Sequence, residues 1–309
     1  MRIIINADDC GLTRGISGNI LHCLDHGPLN STTVMTGGYY AAETLTALSA
    51  RPGILVGLHL NILEGRPTAP AALVAPLLDG RGFFRPSLGV LYLRLHNLVP
   101  RARKALLSAM RTEFSAQIDF FRAHYRPLGA SPALRLDGHL HIHAIPALGE
   151  LMRELIREHR PVYVRLPYEP FHFSPLPPGS ALVAELRRDC LAWWSIFLRR
   201  LLKEEGVAHN RFLAGVVSGG DLNLPRLRAS LQAIKRRVRD EDVVEVMCHP
   251  GGYRADEEDA NSPLAFPARY LSPKRSQEKE MLLSPDLPLL LAEFGASPRP
   301  APTAGSGEI

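Results

Sequence analysis

The chain has 309 residues, of which 46% are hydrophobic and 22% charged, and this composition is typical of a globular protein rather than a disordered or fibrous one. Its length allows one large barrel or two smaller domains. The net charge of +5 is mildly basic, and because no RNA- or DNA-binding motif accompanies it, we expect no nucleic-acid partner.

The first residues and the cysteines indicate a reducing compartment. The opening stretch MRIIINADD contains no charged leader followed by an apolar region and a cleavage site. No segment approaches the roughly 20 apolar residues that a membrane-spanning helix needs. The cysteines form no C-x-x-C pair and are too few for a disulfide framework. We therefore expect a cytoplasmic protein.

Apolar runs alternate with amphipathic stretches along the chain. The runs predict strands at 2–6, 31–36, 54–60, 133–136, 162–165, 211–216 and 243–247. The amphipathic stretches predict helices at 15–26, 41–51, 104–124, 145–159, 181–203 and 224–237. Strands that alternate with helices pair in parallel through crossovers. About seven such units favour an α/β fold, a distorted (β/α) barrel, over an open sheet, although the sequence leaves closure open.

The chain shows no internal repeat and no linker before its last residues. We therefore predict a single domain at 1–296, with insertions near 82–104 and 171–204. The tail at 297–309 is rich in proline, glycine and small residues, and this composition predicts disorder.

Polar residues suited to catalysis lie at the ends of the predicted strands. They are Asp8, Asp9, His59, His139, His141, His143, Arg165 and His249. In a parallel barrel the strand ends point to one face, where active sites are built. Aspartate and neutral imidazole are common ligands of zinc and related ions. One of the adjacent acids would bind the metal, and the other would remain free as a base.

Each of these residues taken alone also has a structural interpretation. Asp8 and Asp9 suit a helix cap or a turn, and a lone buried His59 is more often a core residue than a ligand. Arg165 suits a surface ion pair, and His249 suits a turn. Their joint placement at one edge of the barrel favours a single functional site.

The motifs N-A-D-D-C-G, G-L-H-L-N, D-G-H-L-H-I-H, V-R-L-P-Y-E-P and V-M-C-H-P-G occur in this order. Together they resemble those of the YdjC/ChbG-like carbohydrate deacetylases, relatives of the NodB-type polysaccharide deacetylases, over about 1–294. The V-R-L-P-Y-E-P stretch is most similar to the branch associated with hopanoid biosynthesis. The resemblance implies a distorted barrel of about seven strands, a divalent metal, and hydrolysis of an N-acetyl group on an amino sugar.

Carried over position by position, the resemblance implies Asp9, His59 and His139 as metal ligands. It implies Asp8 as the base that activates water. The two imidazoles favour zinc by ligand softness, while the family also allows magnesium.

The resemblance also implies roles for residues around this centre. His249 would protonate the leaving amine, and Arg165 would orient the base. His141 and His143, together with Asn61 and Cys10, are expected to contact the sugar or to support the site. At Cys10 the sequence departs from the family, which usually has phenylalanine after the paired acids.

Two segments bear on the substrate. The stretches at 82–104 and 191–203 interleave apolar and basic residues, and the second, LAWWSIFLRRLLK, is typical of a helix in a membrane interface. Packing of its aromatic residues on the barrel, or a homodimer contact, remains an alternative. A lipid-linked amino sugar, such as a hopanoid glycolipid at the cytoplasmic membrane face, would explain both segments.

The sequence is also compatible with other functions. The enzyme would alternatively deacetylate soluble N-acetyl chito-oligosaccharides. Two further alternatives are another barrel metal hydrolase, such as a phosphoesterase, and a non-catalytic barrel that binds lipid or sugar. In barrel phosphoesterases the H-x-H pair usually opens the chain, whereas here paired acids open it.

Overall fold

A computed structural model provides the structure of the protein. It describes residues 1–85, 87–97, 99–128, 133–252, 270 and 273–298. The predicted disordered tail at 297–309 lies outside the described residues except for its first two, Ser297 and Pro298, which lie beside the first strand.

A curled sheet of seven parallel strands forms the centre of the described fold. The strands are β1 (Arg2–Cys10), β2 (Ser31–Val34), β3 (Leu55–Leu60), β4 (Arg135–Gly138), β5 (Tyr163–Val164), β6 (Phe212–Ala214) and β7 (Val243–Cys248). Their order across the sheet is β5-β4-β3-β2-β1-β7-β6. Strands that are consecutive in the chain are therefore adjacent in the sheet, apart from β5 and β6 at its two edges, and β1 lies beside β7. A short strand β8, Ser297–Pro298, pairs with β1.

The two edges of this sheet, β5 and β6, curl towards each other. The backbone N–H of Val164 donates to the carbonyl of Ala208 at 3.0 Å, and that of Leu213 donates to the carbonyl of Tyr168 at 2.8 Å. Within the described part of the chain, these bonds join the edges without a continuous ladder. The predicted α/β fold, a distorted barrel of parallel strands, is therefore confirmed.

Helices surround the sheet and bury its outer face. They are α1 (Arg14–His26), α2 (Ala41–Ser49), α3 (Leu88–Leu95), α4 (Pro100–His124), α5 (Gly149–His159), α6 (Pro178–Glu204), α7 (Leu224–Lys235), α8 (Pro273–Leu283) and α9 (Asp286–Glu293). Side chains cap some of them; Thr13 Oγ1, for example, accepts the N–H of Ile16 at the start of α1. The sequence patterns did not predict α3, α8 or α9.

The end of β1 differs from the sequence prediction. We expected this strand to end at Asn6, with the two acids after it, but β1 continues to Cys10 and contains both Asp8 and Asp9. Aspartate is unfavourable in strands, so the residue types predicted a turn. Both carboxylates are tolerated within the strand because arginine side chains from distant elements neutralise them.

Candidate active site

The adjacent acids of β1 face the same cavity. In a regular strand neighbouring side chains point to opposite faces of the sheet. Here Ala7 pairs with Thr32 and Cys10 with Val34, so β1 advances three residues while β2 advances two. Asp9 has a φ of 67° within this bulge. The irregular backbone therefore brings Asp8 and Asp9 to the lining of one cavity.

Asp8 is held by a buried arginine at the end of β5. Arg165, of which 1% is exposed, donates from Nη1 to Asp8 Oδ2 at 2.8 Å and from Nη2 to Asp8 Oδ1 at 2.7 Å. Asn6 adds a hydrogen bond to Oδ1 at 2.7 Å. Burial raises the pKa of Asp8, but the charges of Arg165 and His59 outweigh it, so that the pKa lies well below its usual value. Asp8 is therefore an oriented carboxylate at neutral pH.

Arg165 also neutralises two other buried acids. Its Nε donates to Glu245 Oε1 at 2.7 Å, and its Nη1 lies 2.7 Å from Asp137 Oδ2. Glu245 in turn accepts the hydroxyl of Tyr163 at 2.6 Å. One guanidinium thus links β1, β4, β5 and β7 below the cavity.

Asp9 faces two histidines from other strands. Its Oδ1 lies 3.7 Å from His59 Nε2 and 3.3 Å from His139 Nδ1. The three ligand atoms lie within 4.8 Å of one another. Asp9 Oδ1 is buried, and it accepts no hydrogen bond within the described part of the chain. One carboxylate oxygen and two imidazole nitrogens are a donor set that fits a divalent metal ion.

Arg275 of α8 binds the other oxygen of Asp9. Its Nη2 donates to Asp9 Oδ2, and its guanidinium lies over the ring of Tyr270, 4.6 Å from the centroid. Burial raises the pKa of Asp9, but Arg275 and His139 together hold it well below its usual value. Arg275 was missed in the sequence, because nothing in the polar stretch of α8 distinguishes it from the neighbouring charged residues.

His249 lies after β7, between two carboxylates. Its Nε2 is 4.0 Å from Asp8 Oδ2, and its Nδ1 is 3.9 Å from Glu278 Oε2. Its backbone N–H donates to the same Glu278 carboxylate. Burial lowers the pKa of His249 to about 4 and raises that of Glu278 to about 7. The imidazole is therefore neutral at pH 7.

The other histidines of the D-G-H-L-H-I-H motif lie in different surroundings. Leu140 and His141 have φ values of 49° and 58°, and this left-handed turn places His141 in the lining of the cavity. His143 Nε2 instead donates to the carbonyl of Arg165 at 2.8 Å and so supports that residue from behind. Burial lowers the pKa of His143 to about 4.

Asn61 and Cys10 are not among the described residues that line the cavity. Asn61 Oδ1 accepts the N–H of Leu63 at 2.9 Å, and its Nδ2 donates to the carbonyl of Glu64 at 2.6 Å, so the residue shapes the loop after β3. The side chain of Cys10 is fully buried, and burial raises the pKa of its thiol to about 12. Cys10 is therefore a protonated, enclosed thiol rather than a reactive one.

The cavity above these groups has a volume of about 620 Å³, which is within the range of small-molecule sites. Its lining includes the polar residues Asp8, Asp9, His59, His139, His141, His249 and Arg275. The lining also includes the apolar residues Leu88, Leu140, Leu191, Trp194, Val216 and Met247. Leu88 and Trp194 bring both predicted insertions to the cavity lining. The indole of Trp194 is nearly parallel to the ring of Tyr92, with 6.4 Å between the ring centroids.

Three kinds of comparison identify relatives of this chain. A family model described as YdjC-like protein matches residues 2–293. The chain is 28% identical over 303 residues to a carbohydrate deacetylase of Mus musculus, covering 96% of this chain and 92% of that protein. It is also 28% identical to a carbohydrate deacetylase of Vibrio parahaemolyticus, with 96% and 93% covered.

A solved structure from Enterococcus faecalis has a similar fold. The protein, whose name refers to cellobiose-phosphate cleavage, superposes with a TM-score of 0.64 at 21% identity and covers 96% of this chain. The superposition also includes 95% of the Enterococcus faecalis chain. At this identity the likeness concerns the fold alone.

Proposed function

This chain belongs to the YdjC-like protein family, and we propose that it is a metal-dependent hydrolase that removes the N-acetyl group from an acetylated amino sugar. The carbohydrate deacetylases among its relatives support the reaction class. The observation that carries the proposal is the convergence of Asp8, Asp9, His59 and His139 on one cavity.

Asp9, His59 and His139 would hold the metal ion. When bound, the ion would polarise the acetyl carbonyl as a Lewis acid and would lower the pKa of the attacking water to about 7. Two imidazoles favour zinc by ligand type, and magnesium remains the alternative from the family resemblance.

Asp8 is the general base of this proposal. Its Oδ1 accepts from Asn6, Thr33 and Arg165, whereas Arg165 is the one donor to Oδ2 within the described residues, and this oxygen lies towards His249. Asp8 removes a proton from the attacking water while the water oxygen bonds to the acetyl carbon. Because the pKa of Asp8 is low, the carboxylate releases this proton readily.

His249 is the proposed acid. With a pKa of about 4, His249 is a neutral imidazole at the start of the reaction and lacks the second ring proton that an acid would donate. Its Nε2 lies 4.0 Å from Asp8 Oδ2, so it receives the proton that Asp8 removed and passes it to the sugar nitrogen as the C–N bond breaks. The products are acetate and the free amine.

A lipid-linked substrate is the finer part of the proposal. The lining residues Leu88, Leu191 and Trp194 lie on α3 and α6, and the same helices carry exposed apolar side chains. These are Val90, Tyr92 and Leu93 of α3, and Leu182, Val183, Leu186, Trp193, Ile196 and Phe197 of α6. Such a surface suits an apolar carrier at a membrane face, and the V-R-L-P-Y-E-P stretch favours a hopanoid. Among the described residues, the helices include none that is long and apolar enough to cross a bilayer.

Acetate release from N-acetylglucosaminyl substrates tests the reaction. The purified protein, loaded with zinc or magnesium, is compared with the metal-free protein and with Asp8→Asn. We expect acetate only from the metal-loaded wild type. Hydrolysis of phosphate esters without acetate release would instead support the phosphoesterase alternative and overturn the proposal.

A further inference from the structure

The two histidines of the proposed metal site present different ring nitrogens to Asp9. His59 faces Asp9 Oδ1 with Nε2, at 3.7 Å. His139 faces the same oxygen with Nδ1, at 3.3 Å. His59 belongs to β3, whereas His139 begins the turn after β4, so the two rings approach Asp9 differently.

The opposite nitrogen of each ring faces a second carboxylate. His59 Nδ1 lies 2.7 Å from Asp137 Oδ1. His139 Nε2 lies 3.4 Å from Glu64 Oε1. The nitrogen that faces Asp9 is the one that would bind a metal ion, so in the loaded site each ring proton lies on the opposite nitrogen, where Asp137 or Glu64 accepts it. The other nitrogen then directs its lone pair towards Asp9.

These two carboxylates are buried and held by further partners. Asp137 Oδ2 lies 2.7 Å from Arg165 Nη1 and accepts the hydroxyl of Thr33 at 3.1 Å. Glu64 Oε2 accepts the hydroxyl of Tyr270. Held in this way, each carboxylate has little freedom to follow a rotating imidazole.

We propose that Asp137 and Glu64 are positioning residues that fix opposite tautomers of the two histidines, so that a metal ion binds Nε2 of His59 and Nδ1 of His139. This inference rests on the metal site of the proposed function. Neither carboxylate contributes to the proposed ligand set, and each acts through the histidine that it contacts. Partners of this kind typically change metal affinity by about 10–100-fold.

Zinc affinity of the purified protein, measured by competition with a chromophoric chelator, tests the proposal. We expect Asp137→Asn and Glu64→Gln each to weaken zinc binding by about 10–100-fold. Glu64→Gln is the cleaner variant, because Asp137 also pairs with Arg165. The matched control is Glu169→Gln, another buried carboxylate, which accepts N–H groups of Gly215 and Val217 and should leave zinc affinity unchanged.

Long-range ¹⁵N–¹H correlation spectra of the zinc-loaded, ¹⁵N-histidine-labelled protein show which ring nitrogen of each histidine carries the proton. We expect the remaining ring proton of His59 on Nδ1 and that of His139 on Nε2. In Glu64→Gln the His139 pattern should change while that of His59 stays. Coordination of both histidines through the same nitrogen would overturn the proposal, as would wild-type zinc affinity in both variants.

The same measurements separate this inference from the proposed activity. If the wild type binds no zinc, both the metal site and the positioning roles are wrong. If it binds zinc with the expected ring nitrogens but releases no acetate, only the proposed reaction is wrong.

Discussion

Arg165 donates two hydrogen bonds to the carboxylate of Asp8, at 2.8 and 2.7 Å, although 157 residues separate them in the chain. The pair is almost fully enclosed within the barrel. Arginine presents a planar fork that matches a carboxylate, and this geometry fixes the orientation of the carboxylate as well as its charge. The orientation of the proposed base therefore depends on the end of β5.

Replacement of Arg165 tests this dependence. Arg165→Lys keeps the charge but not the fork, so Asp8 loses its fixed orientation and we expect kcat for acetate release to fall by about 10²-fold. Arg165→Met removes the charge and leaves buried acids unpaired, so it should lower the free energy of unfolding in urea by about 3–5 kcal/mol. The control is Arg81→Met, which breaks an exposed pair with Asp79 and should cost no more than about 1 kcal/mol. Normal kcat in Arg165→Lys would contradict the orienting role.

Replacement of Asp8 should reduce turnover, whereas replacement of Asp9 should reduce zinc binding. Asp8→Asn removes the proposed base but no ligand, so kcat should fall by about 10²–10⁴-fold while zinc stays bound. Asp9→Asn removes a ligand and should weaken zinc binding directly. The measurement combines acetate release with metal content after gel filtration. Equal loss of zinc in both variants would show that the two acids do not divide the roles as proposed.

Buried histidines should make the protein less stable in acid. The folded-state pKa of His143 is about 4, below its usual value of about 6.5, so the unfolded chain binds more protons between these values. Stability from this group is present above pH 6.5 and is lost as the pH falls towards 4, by up to about 1.4 kcal/mol per pH unit.

Urea unfolding of the wild type and of His143→Gln across this pH range checks the effect. The variant should show a shallower decrease in the free energy of unfolding as the pH falls. The comparison of slopes removes any constant cost of losing the hydrogen bond to the Arg165 carbonyl. Parallel slopes would mean that His143 is not held neutral by burial.

Replacement of the two neighbouring tryptophans of α6 should have different effects on stability and on activity. Trp194 is 5% exposed and lines the cavity, whereas Trp193 is 50% exposed and contacts Phe197. Trp194→Ala should lower the free energy of unfolding by about 3–5 kcal/mol and reduce acetate release from every substrate. Trp193→Ala should reduce activity only on an N-acetylglucosaminyl lipid presented in vesicles, and not on soluble chito-oligosaccharides.

Leu289→Ala, which truncates an exposed side chain on α9, is the matched control for Trp193→Ala. It should leave activity on both substrates unchanged. Equal activity of the wild type on lipid and soluble substrates, with no loss in Trp193→Ala, would favour the soluble alternative. The deacetylase proposal would stand in that case.

The sequence alone determined the class of fold and the types of residue at its functional edge. Apolar runs and amphipathic stretches alternate within short windows, and this local periodicity predicts parallel strands with crossovers. Because parallel strands end at one face, the motifs that contain Asp9, His59 and His139 could be predicted to meet there. Their meeting within 4.8 Å agrees with that expectation.

Only the tertiary structure decided how these residues are oriented and what neutralises them. The bulge that turns Asp9 into the cavity beside Asp8 comes from the pairing of β1 with β2, which no local pattern reveals. Asp137 and Glu64 could not be selected as histidine partners either, since many buried acids have the same residue type. The physical reason is that periodicity reports which face of an element is buried, whereas hydrogen bonds and ion pairs depend on atoms that folding brings together from distant positions.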